Sequence, residues 1–322
     1  MHNREAKDFQ YVFGPVASRR LGLSLGVDLL PAKTCTLDCI YCESGRTTRR
    51  TLVRKAWVPT DAVIAELARV LDSGPLLDSV TFSGSGEPTL HSDIGYLIDT
   101  IHRRWPGYGV TVLTNGTLFW QEEVREDLRH ADRVIANYDA ASQEVFDALN
   151  RPYPGLFPDR MLEGLVAFRE IFTGELWVEI FVVPGVNDKD REIEAIAEAV
   201  AKIRPDRVQL NTLDRPGAES WVQPAMDALM QRFRDRIAAA EAVGGVRGRG
   251  SLGPPDDGTL EKKIEALVLR RPVTVEDVVR TQGVDRDQAE RVLKGMCFAG
   301  RLGVQRMDRG DFYTCPETSR SG

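Results

Sequence analysis

Apolar residues recur along this chain in two alternating rhythms. Short, nearly unbroken apolar runs at 24–30, 78–83, 109–114, 133–137, 176–183 and 207–211 predict strands buried on both faces. Between them, segments 60–71, 93–104, 121–129, 159–171 and 188–203 space their apolar residues three and four apart, which predicts amphipathic helices. Six such repeats imply an α/β fold, a parallel sheet with helices on one side that curls into a partial or complete barrel. Parallel barrels carry their chemistry in the loops at the C-terminal ends of the strands.

The rhythm breaks after Ala242. Residues 243–258 contain six Gly and two Pro, a composition that packs into no regular element and reads as a linker. Beyond it, 259–270 is helical, and Thr274 to Asp277 opens a second helix with a capping-box pattern. Gly283 ends that helix, 285–299 reads as a third, and 301–315 alternates around a turn at Asp308-Arg309-Gly310. This resembles a winged helix. The expected domains are therefore 1–242, the linker 243–258, and a winged-helix-like unit at 259–322. From Pro254 onward 12 basic residues balance 12 acidic ones, weak support for DNA binding, so protein docking is an equal expectation.

Composition narrows the classes. A hydrophobic share of 42% with 28% charged residues is that of a globular protein. No apolar run approaches the roughly 18 residues of a membrane span. The first eight residues lack an apolar signal region, which points to the cytoplasm. A net charge of −6 argues against indiscriminate nucleic-acid binding but leaves room for a local basic patch.

The candidate chemistry lies in the loop after the first predicted strand. Three of the five cysteines, Cys35, Cys39 and Cys42, fall in one C-x3-C-x2-C window. Three thiolates can hold three irons of a four-iron, four-sulfur cube and leave the fourth open to chelate a small molecule. The alternatives fit less well: a structural zinc wants a fourth ligand, and no His lies near. A ferredoxin-type carrier wants a fourth nearby Cys.

The window, with Tyr41 before its last cysteine, resembles the signature of the radical S-adenosylmethionine (SAM) superfamily. Ser83-Gly84-Ser85-Gly86-Glu87-Pro88 resembles that superfamily's Gly-Gly-Glu segment, and Leu113-Thr114-Asn115-Gly116 its Thr-Asn-Gly. The flanking stretches 13–22 and 24–28 are similar to a branch of iron–sulfur oxidoreductases related to wyosine-forming tRNA enzymes. The resemblance implies a partial (β/α)6 TIM-like barrel. It implies one [4Fe-4S] cluster on Cys35, Cys39 and Cys42, whose open iron binds SAM, and an electron donor such as flavodoxin or ferredoxin. Glu87, with the backbone of Ser85 and Gly86, would meet the SAM ammonium. The Ser85 hydroxyl, where a Gly often stands, would add a hydrogen bond. Tyr41 would stack on adenine and Asn115 would hold the ribose or carboxylate, with Asn137 and Asp139 as weaker ribose candidates. One electron would cleave SAM to a 5′-deoxyadenosyl radical for hydrogen abstraction.

The substrate is less legible. The lineage suggests tRNA, and a basic run without acids, Arg46, Arg49, Arg50, Arg54 and Lys55, is suited to phosphates or to a solvated face. Arg19 and Arg20 are further candidates for SAM or substrate contact. A small-molecule or peptide substrate is the second reading, and a cluster-based transcriptional sensor the third. Glu179, Asp188 and Asp214 are candidate bases. Pro184 to Asp188 and Thr212 to Arg215 should share the rim with the three motif loops. Cys297 and Cys315 are too few for a second cluster.

Overall fold

The computed structural model describes residues 9–18, 20–243, 259–307 and 310–316. Most of the expected linker, the turn residues Asp308 and Arg309, the first eight residues and Arg19 lie outside them.

In chain order the elements are β1 (Val12–Ser18), β2 (Gly22–Val27), β3 (Thr34–Cys35), β4 (Arg49–Arg50), α1 (Thr60–Leu71), β5 (Ser79–Phe82), α2 (Ile94–Arg104), β6 (Val110–Thr114), α3 (Glu122–Leu128) and β7 (Arg133–Asn137). There follow α4 (Gln143–Asn150), α5 (Pro158–Ile171), β8 (Glu175–Phe181), α6 (Asp190–Ile203), β9 (Arg207–Asn211), α7 (Asp227–Arg236) and β10 (Ala240–Ala242). After the gap come α8 (Leu260–Val268), α9 (Val275–Gln282), α10 (Arg286–Phe298), β11 (Gly303–Met307) and β12 (Gly310–Thr314).

One eight-stranded sheet runs β1-β2-β5-β6-β7-β8-β9-β10, parallel from β2 to β10, as in a partial TIM-like barrel. All six expected strands are present. Their apolar runs are explained by burial on both faces: β5 is buried at every residue, and Leu176 to Phe181 of β8 likewise. The helices cover the sheet through apolar stripes such as Val63, Leu67, Val70 and Leu71 of α1.

The sheet has one antiparallel edge the pattern did not foretell. β1 pairs with β2, and buried Glu66 of α1 accepts the backbone N–H groups of Gln10, Tyr11 and Val12 at 2.8–2.9 Å. That carboxylate satisfies three donors that would otherwise be lost at the sheet edge.

Residues 259–316 carry a core of their own, built on Ile264, Leu267, Val278, Leu293 and Met296. The capping box is formed by Thr274 and Asp277, and Gly283 ends α9 at φ +67°, as the sequence implies. The unit consists of the helices α8, α9 and α10 followed by the antiparallel hairpin β11–β12. This unit packs on β1, with Val16 against its core. Cys297 and Cys315 are half-buried beside that core.

Candidate functional site

A cavity of about 300 Å3 opens at the C-terminal ends of the parallel strands, where barrel chemistry is expected. Cys35, Cys39 and Cys42 line it together with Gly84, Gly86, Glu87, Thr114 and Asn115. The three motif loops therefore meet in one space. Arg215, from the loop after β9, reaches it too. The turn at Pro184 to Asp188 does not: buried Asn187 ties it inward, donating to the carbonyls of Asp139 and Phe181 at 2.9 and 2.8 Å.

The cysteine loop is anchored by Leu37 and Ile40, which are 2% and 0% exposed. Its backbone laces onto the end of α4, Asp38 N–H donating to Asn150 O at 2.9 Å and Ile40 N–H to Leu149 O at 3.0 Å. Three cysteine sulfurs lining one cavity supply a donor set that suits a four-iron, four-sulfur cube, in which each sulfur meets a different iron. Burial, reinforced by Glu87, pushes the Cys35 thiol up to about 12, and burial with the neighbouring cysteines raises Cys39. A bound cation reverses that preference by favouring thiolates.

The Gly84-Ser85-Gly86-Glu87 loop has its glycines for spatial reasons. Gly84 sits at φ +150° with a Cβ site 2.3 Å from Asp28 Cγ, and a Cβ on Gly86 would fall 2.0 Å from Thr34 O. The second contact presses the loop against the residue preceding Cys35. Asp28 accepts from Ser85 N and Ser85 Oγ, both at 3.2 Å. The Ser85 hydroxyl therefore turns to Asp28, and Ser85 does not line the cavity, so the hydrogen bond to SAM expected of that hydroxyl is redirected into the loop.

Glu87 is 2% exposed and joins two loops. Its Oε1 accepts from Thr89 N, Thr89 Oγ1 and Thr114 Oγ1, while Oε2 accepts from Asn115 N at 2.7 Å. Oε2 thus keeps lone-pair capacity for a cation in the cavity. Burial raises its pKa against the pull of these donors. Asn115 donates to Thr36 Oγ1 at 2.8 Å and accepts from Thr117, so its amide braces the cysteine loop as well as facing the cavity.

Tyr41 stacks on Phe181, ring centroids 3.8 Å apart and 7° from parallel. One ring face is thereby taken, which leaves the opposite face or the ring edge for a second aromatic group. Its hydroxyl donates to Asp139. Asp139 also accepts from Phe181 N and Asn150 Nδ2; it supports Tyr41 from behind and does not line the cavity, whereas Asn137 does. Of the candidate bases, Glu179 lines the cavity and pairs with Arg20, while Asp188 and Asp214 stand elsewhere. Asn150 and Lys33, which reach the cysteine sulfurs, were not foreseen.

The basic run divides. Arg54 is buried in ion pairs with Glu123 and Asp127, and Arg46 pairs with Glu219. Arg49, Arg50 and Lys55 remain exposed, with Arg49 and Lys55 over the Trp57 ring at 5.5 and 4.3 Å. The C-terminal unit forms part of the cavity wall through Arg271. Arg215 bonds Asp277 at 2.6 Å and Pro272 O at 2.8 Å, and Arg270 lies 3.3 Å from Asp28.

Comparison with known proteins accords with this geometry. Residues 29–200 match the family described as the Radical SAM superfamily. A protein of Brachyspira hyodysenteriae described as GTPase Obg is 35% identical over 295 residues, 90% of this chain, and the chain spans 43% of that protein's length. A UPF0026 protein of Helicobacter pylori J99 is 34% identical over 222 residues, 68% of this chain and 71% of that protein. More distant are a GTP 3′,8-cyclase of Streptomyces coelicolor, 29% identical over 52% of this chain and 47% of that protein, and a tRNA 4-demethylwyosine synthase of Pyrococcus abyssi, 25% identical over 53% and 54%. Among solved structures, a radical SAM methyltransferase from Sphaerobacter thermophilus shares the fold at TM-score 0.52 and 19% identity, covering 70% of this chain and 67% of that one. The chain belongs to the radical SAM superfamily, whose enzymes work with a [4Fe-4S] cluster and SAM, and within it to the UPF0026 proteins.

Proposed function

We propose that Cys35, Cys39 and Cys42 hold one [4Fe-4S] cluster, and that SAM binds between its open iron and the loops at Gly86-Glu87 and Thr114-Asn115. The observation that carries this reading is the shared cavity of the three cysteines and those two loops at the strand ends. When bound, the cluster supplies one electron that cleaves the sulfonium carbon–sulfur bond of SAM, giving a carbon radical that takes hydrogen from a substrate. In this reading Glu87 Oε2, which accepts from one donor among the described residues, also accepts from the SAM ammonium. Gly86, lacking a side chain, lets the glycine loop pack against Thr34 beside the cysteine loop. Tyr41, fixed by Phe181 and Asp139, bounds the adenine side.

The substrate we propose is compact and polar. Besides the three motif loops, the cavity is lined by Arg20, Glu179, Arg215 and Arg271, charged groups suited to a small polar ligand. A second reading, a nucleotide within tRNA or another nucleic acid, is favoured by the exposed Arg49, Arg50 and Lys55, of which Arg49 and Lys55 lie over Trp57. Quantifying 5′-deoxyadenosine after anaerobic reconstitution, with SAM, dithionite and bulk tRNA present or absent, tests both. Stimulation by tRNA, lost when the three exposed cations are replaced, supports the nucleic-acid reading. Formation unaffected by tRNA supports the compact substrate. An intact cluster that binds SAM and releases no deoxyadenosine with either addition counts against both.

A further inference from the structure

Each cysteine sulfur of the loop faces one side-chain N–H from a different part of the chain. Asn115 Nδ2, just past β6, stands 3.5 Å from Cys35 Sγ. Asn150 Nδ2, on the last residue of α4, stands 3.3 Å from Cys39 Sγ. Lys33 Nζ stands 3.3 Å from Cys42 Sγ. Loop closure does not demand this matching, because backbone bonds to α4 already hold the loop.

Two further features show the donors being aimed. Lys33 sits at φ +58°, a region a lysine seldom occupies, and Thr48 N–H and Arg49 N–H hold it there by donating to its carbonyl at 3.1 and 3.0 Å. Asn150 is 2% exposed, and its Oδ1 has no hydrogen-bond partner among the described residues. A buried amide carbonyl left unsatisfied is uncommon. The side chain is oriented for what its NH2 group reaches, namely Cys39 and Asp139.

Hydrogen bonds and charge at the sulfurs set the potential of an iron–sulfur cluster. Three thiolates on an oxidised four-iron core leave one net negative charge, and one electron from an external low-potential donor makes it two. Any N–H or cation at the sulfurs stabilises the second state more than the first. A full charge at Cys42 does this more strongly than amide dipoles. Glu87, beside Cys35, acts in the opposite sense. We propose that Lys33, Asn115 and Asn150 are positioning residues that raise the reduction potential of the cluster, with Lys33 contributing most. This rests on the three-cysteine reading above.

The test is an EPR-monitored redox titration of the reconstituted full chain, with iron measured in every sample. Lys33→Met should lower the reduced-to-oxidised ratio at a fixed potential about tenfold, equivalent to about 59 mV for one electron. Lys33→Arg should stay within about threefold of wild type, because the charge remains. Asn150→Leu should shift the ratio in the same direction as Lys33→Met by about threefold, as a neutral donor is lost. A Lys33→Met protein with wild-type iron and wild-type potential overturns the proposal. So does an equal shift in Lys33→Met and Lys33→Arg. Should Lys33→Met hold no cluster, Asn150→Leu decides: an unchanged potential overturns the proposal. Full iron retention in Cys39→Ala would instead reject the three-cysteine reading itself.

Discussion

Arg215 and Asp277 form an ion pair at 2.6 Å that joins the loop after β9 to the capping box of α9. Burial would raise Asp277, but Arg215 overrides it and holds the carboxyl well below its usual range. A depressed carboxylate stabilises above its unfolded pKa and loses that contribution only as pH falls through its folded value. The seam should therefore hold from neutral pH down into the acid range. Arg215→Met strands Asp277 beside its capping partners. It should destabilise the chain by about 3 kcal/mol in denaturant unfolding at neutral pH. An unchanged unfolding midpoint would show that the pair contributes nothing.

Glu87→Gln retains much of the hydrogen bonding to Thr89 and Thr114 but removes the charge facing the cavity. Iron content should stay at the wild-type level while SAM binding weakens about tenfold or more, the scale of one lost charged hydrogen bond. Equilibrium binding of SAM to the reconstituted protein reads this directly, and unchanged affinity would remove Glu87 from the SAM contacts.

Gly86→Ala puts a methyl group against Thr34 O, 2.0 Å away before relaxation. The strand residue before Cys35 must move. The variant should lose about 1–3 kcal/mol, the cost of overpacking, and should retain less iron after reconstitution. Wild-type melting together with wild-type iron would show that the loop yields freely.

Asp139 is the opposite case from Asp277. Burial pushes its pKa up to about 6 despite its bonds to Tyr41, Phe181 and Asn150. A raised folded pKa gives stability that is complete below the unfolded value of 3.8 and is lost as pH rises through about 6. In the cluster-free protein, stability should fall across that window, and Asp139→Asn should flatten the fall. Parallel pH profiles of the two proteins would remove Asp139 as its source.

Much of the barrel was legible because parallel strands buried on both faces leave continuous apolar runs, as at 78–83 and 176–183. β1 was not: Gly14 and Pro15 interrupt it, and its place depends on Glu66, more than 50 residues away. α4 is only eight residues long, too short for a periodic signal, yet it brings Asn150 to Cys39 across 111 residues. The cysteines and the glycine loop showed themselves through spacing. Their supporting contacts did not, because Asp28, Lys33 and Asn150 act through folding rather than through any local pattern. The basic run misled in part, since sequence does not show that Arg54 is buried against Glu123 and Asp127.

The most direct measurement is 5′-deoxyadenosine formed per chain under dithionite and SAM, comparing wild type with Cys39→Ala. Formation by the wild type, with none from a folded Cys39→Ala protein that has lost its iron, is the predicted result. Equal formation by both, or none from a wild type carrying a full cluster and bound SAM, would contradict the account.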